Sequence, residues 1–271
     1  FETAYRNVGS FFIFTIMNTQ PIGIFDSGVG GTSIWKEIYK LLPSEATIYL
    51  ADSKYAPYGE KTQKEILQLS IKNTEYLLSR GCKIIVVACN TATTNAIDYL
   101  RENYKVPFIG IEPAIKPAVL NSQTGVVGVL ATRGTLASSL FTKTTALYAK
   151  DRKVIEQFGD GLVPLIEAGQ IESKEIEALL QKYLTPMVKE NIDYLVLGCT
   201  HYPYLIPQLK KILPNTVTII DSGSAVAKQT QKVLQENLLL NNSNNKAVIE
   251  FYTNKEIEVL KSLLGEYAVE S

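Results

Sequence analysis

The chain has 271 residues, 46% hydrophobic and 20% charged, enough to bury a large core as one large or two small domains. Lys plus Arg and Asp plus Glu balance at 27 each, with no run of five basic residues, which argues against nucleic-acid and membrane-surface partners. Three cysteines, no CxxC and a single histidine argue against a disulfide scaffold and a zinc site, and free thiols fit a reducing, cytoplasmic compartment.

Residues 1–20, FETAYRNVGSFFIFTIMNTQ, carry an apolar patch, Phe11–Met17, that is far too short to span a bilayer. No small-residue cleavage site follows it. We read the segment as an upstream extension or a remnant of expression, with Met17 as the natural start. From Pro21 onward, apolar runs at 22–25, 47–51, 84–88, 126–130 and 194–197 have the length and composition of strands, with helical patterns between them.

The first run ends in FDSGVGGTS. Asp26 and Ser27 at a strand end predict a polar cleft, because a buried carboxylate rarely lacks a partner. The glycines that follow let backbone approach a ligand, although GxGG is not the dinucleotide fingerprint. YAPYGEKT, 55–62, is a turn-rich loop holding Tyr58 and Gly59. It leads into TQKEILQLSIKNTEYLLSR, where Thr62 and Glu65 fit a capping box. Cys82 reads as a small buried hydrophobe. Cys89 ends the third run and is followed at once by Asn90 and Thr91. GVLATRGTLASSL, 128–140, repeats the strand, loop and helix of GIFDSGVGGTSIW, 23–35. LVPLIEAG places Glu167 near a helix end. YLVLGCTHYPYLI, 194–206, puts Cys199 where Cys89 stood in the first half, followed by Thr200 and the lone His201. NNSNN, 241–245, reads as a surface loop, and TNKEIEVLKSLLGEYA predicts a second capping box at Thr253 and Glu256.

Such alternation predicts mostly parallel sheets with helices on both faces. Ligands of open α/β sheets bind beyond the carboxyl ends of the strands, so two similar halves facing each other there bring both thiols to one cleft. The N–H groups of a following helix are expected to lower the pKa of each thiol. Ser27, Asn90, Thr91, Thr132, Thr135 and Thr200 offer hydroxyls and amides, with Arg133 almost the only positive charge. Asp26 can receive an ammonium group, so a small amino acid with two carboxylates fits this lining.

FDSGVGG, YAPYG, ACNTAT and LGCTHYP, in this order and spacing, resemble the glutamate racemases of the cofactor-independent Asp/Glu racemase family, from about Pro21 to the end of the chain. The resemblance implies two pseudo-symmetric parallel-sheet α/β domains with helices on both faces and the active site in the cleft between them. Residues 21–112 plus 221–271 would form the first domain and 113–220 the second. It implies Cys89 and Cys199 as the two acid/base residues, with Asp26, Ser27, Tyr58, Gly59, Asn90, Thr91, Thr200 and His201 as substrate contacts. It implies no cofactor and no metal, and a product, D-glutamate, used in peptidoglycan. The assembly state stays open, a homodimer included. The two cysteines then have a reason: racemisation removes an α-proton from one face of a carbon and delivers one to the other, which two opposed acid/base groups do without turning the substrate over. The rival readings are a racemase of aspartate or another small acid, a two-lobed amino-acid-binding protein without activity, and a protein whose cysteines form a reversible disulfide.

Overall fold

The computed structural model describes residues 18–149, 151–243 and 247–269. The expected extension through Met17 and part of the predicted 241–245 loop lie outside the described residues. In chain order the strands are β1 (Ile22–Asp26), β2 (Thr47–Ala51), β3 (Ile84–Val87), β4 (Phe108–Gly110), β5 (Val126–Ala131), β6 (Lys153–Phe158), β7 (Tyr194–Gly198), β8 (Thr218–Ile220) and β9 (Ile249–Thr253). They form two sheets, ordered β4-β3-β1-β2-β9 and β6-β5-β7-β8. Every pairing is parallel, with Ile22 opposite Thr47 and Ile84 in the first sheet and Val127 opposite Val154 and Tyr194 in the second. This is the two-sheet α/β class that the alternating pattern predicts.

The central strands are buried along both faces: IGIFD in β1 and IIVV in β3 have no exposed residue. Strands covered on both sides are written as continuous apolar runs for this reason. Trp35, on the helix Thr32–Leu41, meets Phe251 of β9 edge-on at 4.7 Å and Tyr267 at 5.3 Å, while its indole N–H donates to Thr47 Oγ1 at 2.9 Å. Truncating so buried a Trp would cost about 3–5 kcal/mol.

The amino ends of the first sheet's strands are tied together by a buried ion pair. Lys83 Nζ donates to Glu45 Oε2 at 2.6 Å and to the Asn18 carbonyl at 2.9 Å, and Glu45 Oε1 accepts the Asn241 N–H at 2.7 Å. The carboxyl ends are thereby left to loops. Two connections join the halves: 111–114 leads from β4 toward the helix Ile115–Asn121, and 221–222 leads from β8 into the helix Gly223–Glu236. They run side by side, with Ser222 Oγ donating to the Glu112 carbonyl. The helix Gly223–Glu236 then packs on Thr32–Leu41 beside the first sheet.

The capping box at Thr62 and Glu65 is present at the head of the helix Gln63–Ser79. The one expected at Thr253 and Glu256 is not. Pairing with β2, from Thr47 opposite Ile249 to Ala51 opposite Thr253, claims Thr253 for a strand. Its hydroxyl accepts the Lys255 N–H, and the helix Glu258–Leu264 starts later without a side-chain cap. Among the described residues, no helix is long and apolar enough to cross a membrane.

Candidate active site

The segments after β1, β2, β3, β5 and β7 meet around a small cavity lined by both Cys89 and Cys199 and by Ser27, Tyr58, Gly59, Asn90, Thr91, Thr200 and His201. Asp26 stands just behind this lining, wholly buried. The three cysteines are free thiols. Cys82 lies at the far end of β3, against Gly23, where burial pushes its thiol up to about 12.

Cys89 caps the helix Asn90–Asn103: its sulfur accepts the Ala92 N–H at 3.4 Å and its thiol donates to Ser27 Oγ at 3.5 Å. Ser27 donates in turn to Asp26 Oδ1 at 3.3 Å. Asp26 Oδ2 accepts the Gly31 N–H at 2.7 Å and the Thr200 hydroxyl at 3.4 Å. Burial raises the Asp26 carboxyl above its ordinary range, and Glu167 adds to this, while His201 and the Gly31 bond oppose it. Burial first, and the Asp26 charge second, push the Cys89 thiol well up as well. The sequence-based expectation of a lowered thiol fails here. Weak N–H···S and hydroxyl contacts do not offset full desolvation next to a carboxylate.

Cys199 follows β7, but no α-helix begins directly after it. Its carbonyl accepts the Tyr202 N–H, a short 3₁₀ turn runs over Tyr202–Leu205, and a helix covers Ile206–Ile212. Pro203 and Pro207 explain the break. Each lacks an N–H, and the Pro207 ring blocks helix continuation from residue 203. Sγ of Cys199 lies 3.7 Å from His201 Nδ1. The other ring nitrogen, Nε2, lies 2.6 Å from Glu167 Oε1, with the two side chains only 2% and 6% exposed. Burial opposes a charge on His201, but its bonds to Cys199 and Glu167 outweigh this and raise its pKa well above the ordinary 6.5. Burial likewise pushes Glu167 up, and the His201 bond and charge, with the Val29 N–H at 2.7 Å, overcome it and hold the carboxyl below its ordinary value. Both directions favour the charged forms of the pair, while the Gly30 N–H at 3.3 Å competes for the same Nε2 atom.

Glu167, the last residue of the helix Leu162–Glu167, and His201, in the turn after β7, both press from the second half against the backbone at 28–30 of the first. A Cβ on Gly28 would overlap the Glu167 carboxylate, and one on Gly30 the His201 ring. These two glycines are required by close approach rather than by a turn.

Asn90 Nδ2 is buried beside Cys89 with no partner among the described residues. Thr91 Oγ1 meets Thr132 Oγ1 across the two halves at 3.1 Å, and Thr132 Oγ1 meets Thr135 Oγ1 at 3.0 Å. The Tyr58 hydroxyl points away from the thiols. It donates to Asp52 Oδ2 at 2.5 Å and accepts from Asn73 Nδ2 at 3.2 Å. Tyr58 thus brings its ring to the cavity, and Gly59 its backbone, which rests against Thr132. Asp52 and Asn73 escaped the sequence reading. The available signal was that Asp52 follows β2 directly, as Asp26 closes β1. Among the described residues, no group of three His, Cys, Asp or Glu is arranged to hold a metal ion.

Two parallel-sheet α/β halves thus each bring a buried cysteine to the lining of one shared polar cleft, at the carboxyl ends of their strands. The model of the Asp/Glu/Hydantoin racemase family matches residues 22–230, and the chain belongs to that family. The chain is 47% identical over 237 residues to the glutamate racemase of Herpetosiphon aurantiacus, covering 88% of this chain and 93% of that one. Its fold is similar to Escherichia coli glutamate racemase in complex with L-glutamate and the activator UDP-MurNAc-ala, at 34% identity and a TM-score of 0.81, over 92% of this chain and 95% of that one. It is also similar to Francisella tularensis glutamate racemase in complex with D-glutamate, at 30% identity and a TM-score of 0.79, over 93% and 94% of the two chains.

Proposed function

We propose that this chain is a cofactor-independent glutamate racemase that interconverts L- and D-glutamate, with Cys89 and Cys199 as its two acid/base groups. The observation that carries the reading is the pair of free thiols lining one buried cavity, each with its own polar network. Relatives bearing both enantiomers of glutamate in similar folds support the substrate.

The binding roles are assigned from the contacts, and the enantiomer that each cysteine serves from the resemblance to glutamate racemases. The substrate ammonium takes the buried Asp26 carboxylate as its counter-ion. The α-carboxylate takes the open Asn90 amide with the Thr91 and Thr200 hydroxyls. An unpaired buried donor costs about 1–3 kcal/mol, and a ligand acceptor recovers it. From L-glutamate, a Cys199 thiolate removes the α-proton, negative charge develops toward the carboxylate where those donors wait, and the Cys89 thiol delivers its proton to the opposite face. D-glutamate reverses every step, beginning from a Cys89 thiolate. The bound ammonium assists that direction. By neutralising Asp26 it removes one of the two causes that hold Cys89 protonated. His201, 3.7 Å from the Cys199 sulfur and anchored on its other side by Glu167, orients that cysteine toward the cleft.

In this reading residues 21–112 with 221–271 form one domain and 113–220 the other, Tyr58 and Gly59 complete the substrate site, the enzyme works in the cytoplasm as a monomer or homodimer, and its D-glutamate feeds peptidoglycan synthesis. Circular dichroism of L-glutamate and of L-aspartate, each incubated with the pure protein and a chelator, tests the function. Decay of the glutamate signal to zero is expected. A stable glutamate signal, or faster decay with aspartate, would contradict the proposal.

A further inference from the structure

A second, more open cavity adjoins the first. The two share Pro57, Gly59, Thr132 and Val163, so the outer one is the vestibule of the inner. Arg133 is the one Arg or Lys in the lining of either. Its guanidinium is pinned on two sides. Nε and Nη2 donate to the two carboxylate oxygens of Asp160 at 3.0 and 2.5 Å, and the group lies over the Phe158 ring at 4.5 Å. Those bonds use one edge of the fork. The Nη1 edge makes no hydrogen bond to the described residues. Arg133 also follows Thr132, whose hydroxyl meets Thr91 at the head of the Cys89 helix. The other charges at the mouth are Asp160, already paired, and Glu60 on the facing wall.

We propose that Arg133 is the residue that captures the substrate at the mouth of the site, its free guanidinium edge taking one carboxylate of the incoming amino acid. This rests on the glutamate reading above. Asp160 and Phe158 hold the guanidinium plane beforehand, so capture orders little that is not already ordered. Arg133 also offsets Asp160 and Glu60, which would otherwise repel a substrate of net negative charge.

The test is steady-state kinetics of R133Q, R133K and K153Q with both enantiomers, at low and high ionic strength. Lys153 forms an exposed pair with Glu190 at the other end of β6, so K153Q makes the same charge change away from the mouth. For R133Q at low salt, KM for each enantiomer should rise about three- to tenfold while kcat changes less than twofold, the range of an exposed but charge-assisted contact. Added salt should weaken the wild type toward R133Q, R133K should recover part of the loss, and K153Q should behave as wild type. An unchanged KM in R133Q at low salt, or an equal shift in K153Q, would overturn the capture role while leaving the racemase reading intact. A wild type without glutamate turnover would overturn both.

Discussion

Glu167→Gln removes one of the two groups that, with Cys199, favour the charged form of His201, and its cost can be worked from the geometry. The pair is 2.6 Å apart with both side chains nearly wholly buried, so the variant leaves an imidazolium in a dry site without its counter-ion. Breaking a buried pair from one side costs about 3–5 kcal/mol. Gln keeps an oxygen for the Val29 N–H, so the lower end, about 3 kcal/mol, is expected, or a Tm lowered by about 6–12 °C for a chain of this size. The pH dependence fixes the cause. His201 has a raised folded pKa, so its contribution is complete below the ordinary 6.5 and fades as pH climbs toward the folded value. Glu167 has a lowered folded pKa, so its contribution is complete above the ordinary 4.5 and fades as pH falls. Both act in full between about pH 4.5 and 6.5. Calorimetric melts of wild type and variant should therefore differ most near pH 5.5 and converge in alkaline buffer. A deficit below about 1 kcal/mol at pH 5.5, or one that stays constant with pH, would refute the imidazolium carboxylate assignment.

Other outcomes follow from the same contacts. His201→Asn should lower kcat from L-glutamate about 10²–10⁴-fold, more than from D-glutamate, because the contact is to Cys199; equal losses in kcat from both enantiomers would count against that pairing. Gly30→Ala should abolish turnover by displacing the His201 ring, and a fully active variant would show that the loop yields freely. Thr62→Ala breaks the capping box at the surface and should cost about 1 kcal/mol, seen as a Tm lower by about 2–4 °C with unchanged kinetics.

The strands that the sequence announced share one property. β1, β2, β3, β5 and β7 are all interior to their sheets, and their apolar runs follow from burial on both faces. The four without a clear signal, β4, β6, β8 and β9, are the four edges. β4 and β8 have three residues each, β6 mixes half-buried with exposed positions, and no residue of β9 is fully buried. Edge strands take much of their definition from the neighbour they pair with, which local pattern does not carry. This also explains the misplaced helix start at Thr253, a residue whose local chemistry suits a cap and whose position belongs to β2's partner.

Within the site, the thiols were legible because a cysteine closing an apolar strand occurs twice at matching places. The protonation of Cys89 was not, because it depends on full burial and on Asp26 lying behind Ser27. The reach of Glu167, from the end of its helix, to His201 was not legible either, since the two are far apart in sequence. The open Asn90 amide is likewise a property of the folded cleft, since an Asn heading a helix would ordinarily bond locally.

The central claim is that two thiols work on opposite faces of one carbon, and it is tested most directly by racemising L-glutamate in D₂O and stopping early. Cys199 removes the α-hydrogen and Cys89, already exchanged with solvent, supplies deuterium from the other side. Mass spectrometry of the separated enantiomers should find D-glutamate fully deuterated at Cα while unreacted L-glutamate keeps its hydrogen. Deuterium appearing in unreacted L-glutamate as fast as in the product, or substantial racemisation by Cys89→Ala or Cys199→Ala, would contradict the two-thiol account.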